Sequence, residues 1–342
     1  MTGIKALARH LNLSIGTVSR ALNGKPDVSD ATRSRVTAAA AELGYVANQS
    51  GRALRRGSTG VIGFMMQTGG LSAQEGEFFF TGVFDGVQSV LSRHQLDLVT
   101  LLYSSETDPA AFLRRMAARQ FADGLIISST LRHDARIEFL AARKMPFLAL
   151  GRSLTDAGHA WLDLDVEAMA RITVDRLAEK GHQRIGVLLP NTEINLGYLI
   201  HDAFRDQLAR RGLSYDPELV FRCTPNETGG YDVGQRIAQM APRPTGVLAV
   251  SQAMTVGLYH GLTAAGVVPG RDIALLGRGS AQSHYLTPGV TCFTTSLRDL
   301  GIAIAEGLLA TMPQFAKDYP LGVVRRLIDF ELSEGQSDNL AL

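Results

Sequence analysis

The sequence predicts an all-α head of helix-turn-helix type, a short helical linker, and a two-lobed α/β body built on parallel sheets. Three observations carry this. Apolar residues in the first 45 positions recur at helical spacing in three short segments. After Gly60, short continuous apolar runs alternate with amphipathic helical stretches, the pattern of parallel strands covered by helices on both faces. At 342 residues and 45% hydrophobic content, the chain is long enough for a large core and more than one domain.

The head comes first. Ile4, Leu7, Ala8 and Leu11 form one stripe of an amphipathic helix. Asn12 and Leu13 make a turn, and Ser14 is an N-cap for a second helix on which Val18 and Leu22 face inward. Asn23-Gly24 and Lys25-Pro26-Asp27 read as a loop. Ser29 caps a third helix with Thr32, Val36, Ala39 and Leu43 on its buried stripe, and Gly44 stops it. Helix, tight turn, helix and a third helix closing the core is the helix-turn-helix arrangement.

The second helix, SIGTVSRALNG, is a poor packing surface and a good polar one. With Val18 and Leu22 inward, Gly16, Thr17, Arg20 and Asn23 remain outside. A helix N-terminus suits phosphate, Arg20 can reach a guanine edge with two hydrogen bonds, and Gly16 permits close approach. Charge agrees. Residues 1–58 carry nine Lys and Arg against three Asp and Glu, while the remainder carries 25 basic against 30 acidic residues. A basic head on a mildly acidic body fits a polyanionic partner, although a solvated basic face gives the same count.

These residues carry a resemblance. TVSRALNG, then DVSDATRSRV and AAAELGYVAN, resembles the DNA-binding head of the LacI/GalR (lactose repressor) family of bacterial transcription regulators, and the likeness extends over nearly the whole chain. It implies Lys5, Ser14, Ile15, Gly16, Thr17, Ser19, Arg20 and Asn23 as DNA-contacting residues of the head. The basic segment NQSGRALRRGS (48–58) is a linker of helical character; the alternative reading, for the free protein, is a flexible tether. The resemblance implies a hinge helix that folds in the minor groove, with Asn48, Arg52, Leu54 and Arg55 on DNA and Leu54 as a wedge between base pairs.

The body follows. Apolar runs occur at 60–66, 97–103, 124–129, 146–151, 184–189, 246–251 and 273–277. About 280 residues is large for a single sheet, so two lobes with a cleft are expected. The resemblance implies a periplasmic-binding-protein-like architecture. The expected division is 1–46 for the head, 47–58 for the hinge and 59–335 for an effector-binding and dimerisation domain. Within it, lobe one takes about 60–158 plus 290–322 and lobe two about 160–288 plus 323–335.

No GxxxxGK[ST] loop, strand-borne GxGxxG, HExxH or GxSxG is present, and the eight histidines show no metal spacing. Cys223 and Cys292 are far apart, which argues against a disulfide framework or zinc site. Neither a cofactor nor a metal is expected. Asp163 and Asp165 read as part of a solvated loop. The N-terminus lacks a signal-peptide run and no segment has membrane-span length, so a cytoplasmic protein is expected.

The sequence FFF (78–80) falls where the first strand gives way to a helix, the cleft edge of an open α/β sheet. Ordinary packing of these rings stands equal with a stacking role. The resemblance matches the family's ring-stacking residues to Phe79 and Phe80. Its polar clamps are missing: Ile200, Pro225, Ser251-Gln252 and Gly279 occupy the positions of an Arg, an aromatic, an Asn-Asp pair and an Asp. Arg152, Tyr198, His201, Ser251, Gln252 and Arg278 complete the expected effector residues. Two arginines favour an anionic or partly apolar ligand, with a larger glycoside as the main alternative and lost effector control as a third. The whole reads as a homodimeric repressor on a pseudo-palindromic operator, controlled by a small effector. A solute-binding module without DNA activity and an enzyme on a two-lobed fold are the rival readings.

Overall fold

The computed structural model describes residues 3–22, 24–45, 58–68, 76–104, 106–280, 283, 285–287 and 289–342, with residues 76–78 as backbone alone. Asn23 and positions 46–57, which hold Asn48, Arg52, Leu54 and Arg55, lie outside the described residues. Contacts divide the chain into two units, Met1–Thr59 and Gly60–Leu342.

The first unit is three helices, α1 (Ile4–His10), α2 (Ile15–Leu22) and α3 (Asp30–Glu42). Leu7, Ala8, Val18, Ala21, Val28, Val36, Ala39 and Ala40 are its buried core. Three left-handed residues punctuate its described part, Asn12, Gly24 (φ 64°) and Gly44. At Asn12 (φ 54°), the Asn12 N–H donates to the Arg9 carbonyl and the Leu13 N–H to the Ala8 carbonyl, which ends α1 and makes the tight turn. Gly44 (φ 58°) repeats the device after α3, with Gly44 N–H on the Ala41 carbonyl and Tyr45 N–H on the Ala40 carbonyl. Ser29 Oγ caps α3 by accepting from the Thr32 N–H at 3.4 Å.

In the second unit every apolar run of the sequence is a strand: β1 (Val61–Thr68), β2 (Asp97–Ser104), β3 (Gly124–Ile127), β4 (Phe147–Leu150), β6 (Ile185–Pro190), β8 (Gly246–Ala249) and β9 (Ala274–Arg278). Five further strands carry no long apolar run: β5 (Ala160–Leu164), β7 (Val220–Cys223), β10 (Thr291–Thr294), β11 (Arg325–Ile328) and β12 (Glu331–Ser333). The first sheet has the order β11-β5-β4-β3-β1-β2 and the second β12-β10-β9-β8-β6-β7. All pairs are parallel except β10 with β12. Strands β3, β6 and β8 are buried throughout, because helices cover both faces.

The helices between strands are α4 (Gly76–Leu91), α5 (Pro109–Ala117), α6 (Ala135–Ala142), α7 (Val166–Glu179), α8 (Asn195–Arg210), α9 (Glu227–Gln239), α10 (Gln252–Ala264) and α11 (Leu297–Leu309). Helix α11 packs backbone against backbone on α4: a Cβ on Gly86 would overlap the Arg298 carbonyl, and one on Gly301 the Val83 carbonyl.

The lobe boundaries differ from expectation at three places. Residues 160–164 belong to the first sheet, where Leu148 pairs with Ala160 and Leu150 with Leu162. Residues 291–294 belong to the second sheet beside β9, and the chain returns to the first lobe only with α11. Residues 325–328 pair with β5 in the first sheet, and only 331–333 go back to the second. The polypeptide therefore crosses between lobes after β5, after β10 and after β11. These strands are short and mixed in polarity, so apolar runs alone mark them poorly.

Candidate functional site

Two surfaces concentrate the residues singled out above, one in each unit. In the head, Val18 and Ala21 anchor α2 to the core, and Leu22 is half-buried. Their spacing leaves Ser14, Ile15, Gly16 and Arg20 exposed along one edge, with Thr17 and Ser19 half-buried beside them. Ser14 Oγ accepts from the Thr17 N–H at 3.0 Å and shares a 2.9 Å hydrogen bond with the Thr17 hydroxyl. No acid lies in the first turn of α2, so the positive end of the helix dipole is not neutralised from within the helix. Ile15 is 43% exposed, an apolar contact set among polar groups. Lys5 is exposed on α1, and its carbonyl accepts from Arg9.

In the second unit a cleft opens at the C-terminal ends of the strands, where open parallel sheets place ligands. It has two chambers. The first, about 650 Å³ including its mouth, is lined by Phe79 and Phe80 of α4, the Ser128-Ser129-Thr130 turn after β3, Leu150 to Arg152 after β4, and Asp163 of β5. Ile194 and Leu196 at the start of α8, and Arg278 at the end of β9, face them from the other lobe. The second chamber, about 600 Å³, is lined by Gln252, Gly279, Ser280, Thr294, Thr295 and Leu297. Phe79 and Arg278 belong to both, with the guanidinium 4.8 Å from the ring centroid. Phe80 packs edge-on to Phe64 at 5.7 Å and is 7% exposed, so it is a core ring with one edge on the cavity.

Asp163 is not a solvated loop residue. It lies in β5, 7% exposed, and lines the first chamber. Its Oδ2 accepts from the Arg152 backbone N–H at 3.2 Å and from Arg152 Nε at 2.9 Å, and its Oδ1 accepts from the Leu164 N–H at 2.9 Å. Burial pushes the Asp163 carboxyl above its ordinary range, against the pull of Arg152. Arg152 also donates Nη2 to Glu167 at 2.5 Å. Its charge is thus balanced by two carboxylates inside the protein. Asp165, its neighbour in sequence, caps α7 by accepting from the Ala168 N–H.

The turn before α6 is held from behind by a buried ion pair. Arg136, with no exposed surface, meets Asp134 at 2.6 Å and donates Nη2 to the Ser129 carbonyl at 3.1 Å. Ser129 is left-handed (φ 51°), and this grip fixes it. Opposite, Asn195 is 4% exposed and reaches across from the second lobe. Its N–H donates to the Thr130 carbonyl at 2.9 Å and its Nδ2 to the Arg152 carbonyl at 2.8 Å, beside an antiparallel bridge between Leu131 and Ile194.

Of the expected effector residues, Phe79, Phe80, Arg152, Gln252 and Arg278 line the chambers. The structure does not bring Tyr198, His201 or Ser251 to those walls. Tyr198 donates to Glu193 at 2.6 Å under the Arg132 guanidinium, and His201 pairs with the Tyr215 hydroxyl at 2.9 Å. Ser251 is 1% exposed and caps α10. Ile200 is a core residue, Pro225 is buried away from both walls, and at Gly279 a Cβ would strike Cys292. Sequence reasoning missed Asp163, Thr130 and Asn195. The acid in the short stretch AWLDL, flanked by leucines, was the available signal, since a buried carboxylate demands a partner.

Among the described residues no cluster of His, Cys, Asp and Glu could hold a metal ion, and no helix is long and apolar enough to cross a membrane. Residues 3–48 match the family described as bacterial regulatory proteins, lacI family, and residues 174–337 match a periplasmic binding protein-like domain. The HTH-type transcriptional regulator AglR of Rhizobium meliloti (strain 1021) is 30% identical over 93% of this chain and 89% of its own length. Among solved structures, the complex of the transcriptional regulator CelR with cellobiose superposes with a TM-score of 0.71 at 25% identity, covering 98% of this chain and all of that one. The Lac repressor dimer bound to operator and the anti-inducer ONPF shares the fold, with a TM-score of 0.84 at 23% identity over 98% of both chains.

Proposed function

Because the chain belongs to the lacI family of bacterial regulatory proteins, and so is a DNA-binding transcription regulator, we propose that it is a dimeric cytoplasmic repressor released or tightened by a carbohydrate in the two-chambered cleft. The observation that carries the DNA half is the exposed edge of α2 from Ser14 to Arg20, free of acids and backed by Val18 and Ala21. Set into a major groove, it presents the helix N-terminus to phosphate and Arg20 to base edges. Ile15, Thr17 and Ser19 supply adjacent contacts, Lys5 a phosphate contact, and Asn23, Asn48, Arg52, Leu54 and Arg55 the remainder. A second copy is expected on the apolar surface that edge strand β2 exposes at Val99 (38%) and Leu102 (53%).

The ligand half rests on charge. Arg152 meets Asp163 and Glu167, so the first chamber offers donors and acceptors side by side rather than an uncompensated cation. Hydroxyl groups satisfy both kinds of partner, and Phe79 offers a ring face for stacking. This favours a neutral polyhydroxyl ligand over the organic anion that two arginines alone suggest. The related CelR structure holds cellobiose.

The test has two arms. Selection from a random duplex library should enrich one site, and Arg20→Ala should lose about 1–3 kcal/mol there and far less on scrambled DNA. Thermal shifts should then be read with cellobiose, glucose, glucose 6-phosphate and gluconate. Stabilisation by the charged compounds alone, abolished in Arg278→Ala, would overturn the neutral-ligand reading.

A further inference from the structure

The described part of the loop after α2, from Gly24 onward, is tied to both flanking helices. The Lys25 N–H donates back to the Arg20 carbonyl at 3.1 Å. Val28 is buried in the head core, and its N–H donates to the Lys25 carbonyl at 3.3 Å. From α3, Arg33 donates Nη2 to the Lys25 carbonyl at 3.1 Å and to the Val28 carbonyl at 3.3 Å, and its Nη1 meets Asp30 at 3.3 Å. Between these anchors stands Asp27. Its Oδ2 lies 3.3 Å from Arg20 Nε, with the two side chains 59% and 52% exposed. The Arg20 guanidinium runs back along the open edge of α2, with Nη1 3.6 Å from where a Cβ on Gly16 would sit.

We propose that Asp27 is a positioning residue that sets sequence specificity, gripping Arg20 at Nε so that the Nη1–Nη2 edge is presented to a guanine. This rests on the reading of Arg20 as a base contact. A guanidinium is a rigid planar fork, and bidentate recognition uses two of its N–H groups in parallel. A long side chain on an exposed helix face otherwise spreads over many rotamers, and ordering it opposes binding. A carboxylate fixed at Nε leaves the two terminal nitrogens free to point as a pair. Asp27 therefore acts on DNA in two separable ways. As a negative charge it weakens every duplex alike. As a brace for Arg20 it strengthens only the duplex whose base Arg20 reads. The ratio of operator to scrambled-duplex affinity reports the second and cancels the first.

The experiment uses the full chain, the duplex selected with the wild type, and a scrambled duplex of equal length at fixed salt. Asp27→Ala and Asp27→Asn should tighten the scrambled duplex while lowering the operator-to-scrambled ratio about two- to fivefold, the range of an exposed ion pair. Asp27→Glu should restore part of the ratio, which loss of a merely structural contact would not do. Repeating the selection with Asp27→Ala should blur the one base-pair position per half-site that Arg20→Ala also blurs. In an Arg20→Ala background, Asp27→Ala should leave the ratio unchanged. Equal tightening of both duplexes by Asp27→Ala, where Arg20→Ala does lower the ratio, overturns the bracing role alone. An unchanged ratio in Arg20→Ala overturns the base-contact reading and the brace with it.

Discussion

Asp163→Asn is the sharpest perturbation of the cleft. The substitution keeps the shape and removes the charge. Asp163 accepts two hydrogen bonds from Arg152 on one oxygen and one from the Leu164 N–H on the other. An asparagine can satisfy only one side. If its carbonyl faces Arg152, its NH₂ faces the Leu164 N–H, donor against donor. One buried donor without a partner costs about 1–3 kcal/mol. Breaking a fully buried ion pair costs about 3–5 kcal/mol, but Arg152 is 21% exposed and keeps Glu167, which places the total near 2–3 kcal/mol. Trp161 is the single tryptophan, two residues from Asp163 and 5.8 Å below the Arg152 guanidinium. Its emission therefore reports this site directly in a urea titration. A lower midpoint and a shifted native emission are expected, with ligand affinity down about tenfold or more from the lost charge-assisted contact. A midpoint shift worth less than about 0.5 kcal/mol, with Trp161 emission unchanged, would show that Asp163 does not hold Arg152.

Other sites give further tests. Asn195→Ala removes the side-chain bond to the Arg152 carbonyl, so amide exchange around 193–196 and 130–132 should quicken and ligand affinity fall by about tenfold; unchanged exchange would mean the lobes are held elsewhere. Asp338 is fully buried and accepts from Arg176, Lys180 and Thr291, tying the C-terminal segment to α7 and β10. Asp338→Asn should cost about 2–4 kcal/mol in urea, less than a wholly buried pair because Arg176 keeps Glu334; a change under about 1 kcal/mol would contradict this. His159 stacks on Phe147 with both ring nitrogens buried and unpartnered, and burial, reinforced by Arg325, holds its pKa below the ordinary 6.5. With the folded pKa below the unfolded one, stability is full above about pH 6.5 and is lost as pH falls through that value toward the folded pKa. Tm should therefore drop between pH 7 and 5, and His159→Phe should flatten the drop; parallel slopes would place the acid sensitivity elsewhere.

The architecture was legible wherever burial leaves a periodic trace. Leu7, Val18 and Val36 mark the head at helical spacing, and the all-apolar runs of β3, β6 and β8 announce sheets covered on both faces. The lobe exchange was not legible. Strands β5, β10 and β11 are four or five residues each, and whether Ala160 pairs with Leu148 is a long-range fact that no local pattern encodes. The cleft was half legible for the same reason. Phe79 and Arg278 sit next to strand ends that the apolar runs locate, whereas Tyr198 and His201 lie on α8, whose rotation about its own axis is set by Ile200 and Phe204 in the core. The charge of Arg152 was misjudged because its two partners, Asp163 and Glu167, are 11 and 15 residues away and meet it only through the β4–β5 pairing.

If a ligand in the cleft of the second unit governs how the head of the first holds a specific duplex, duplex affinity must follow ligand concentration. Fluorescence anisotropy of the selected duplex reads this dependence, titrated in the wild type and in Asp163→Asn with whichever neutral sugar stabilises the wild type in the thermal-shift panel. A saturable change in duplex affinity is expected in the wild type, displaced to at least about tenfold higher sugar concentration in Asp163→Asn. Saturable binding of that sugar to the wild type, seen by calorimetry, with duplex affinity unchanged throughout would mean that the cleft does not control the head.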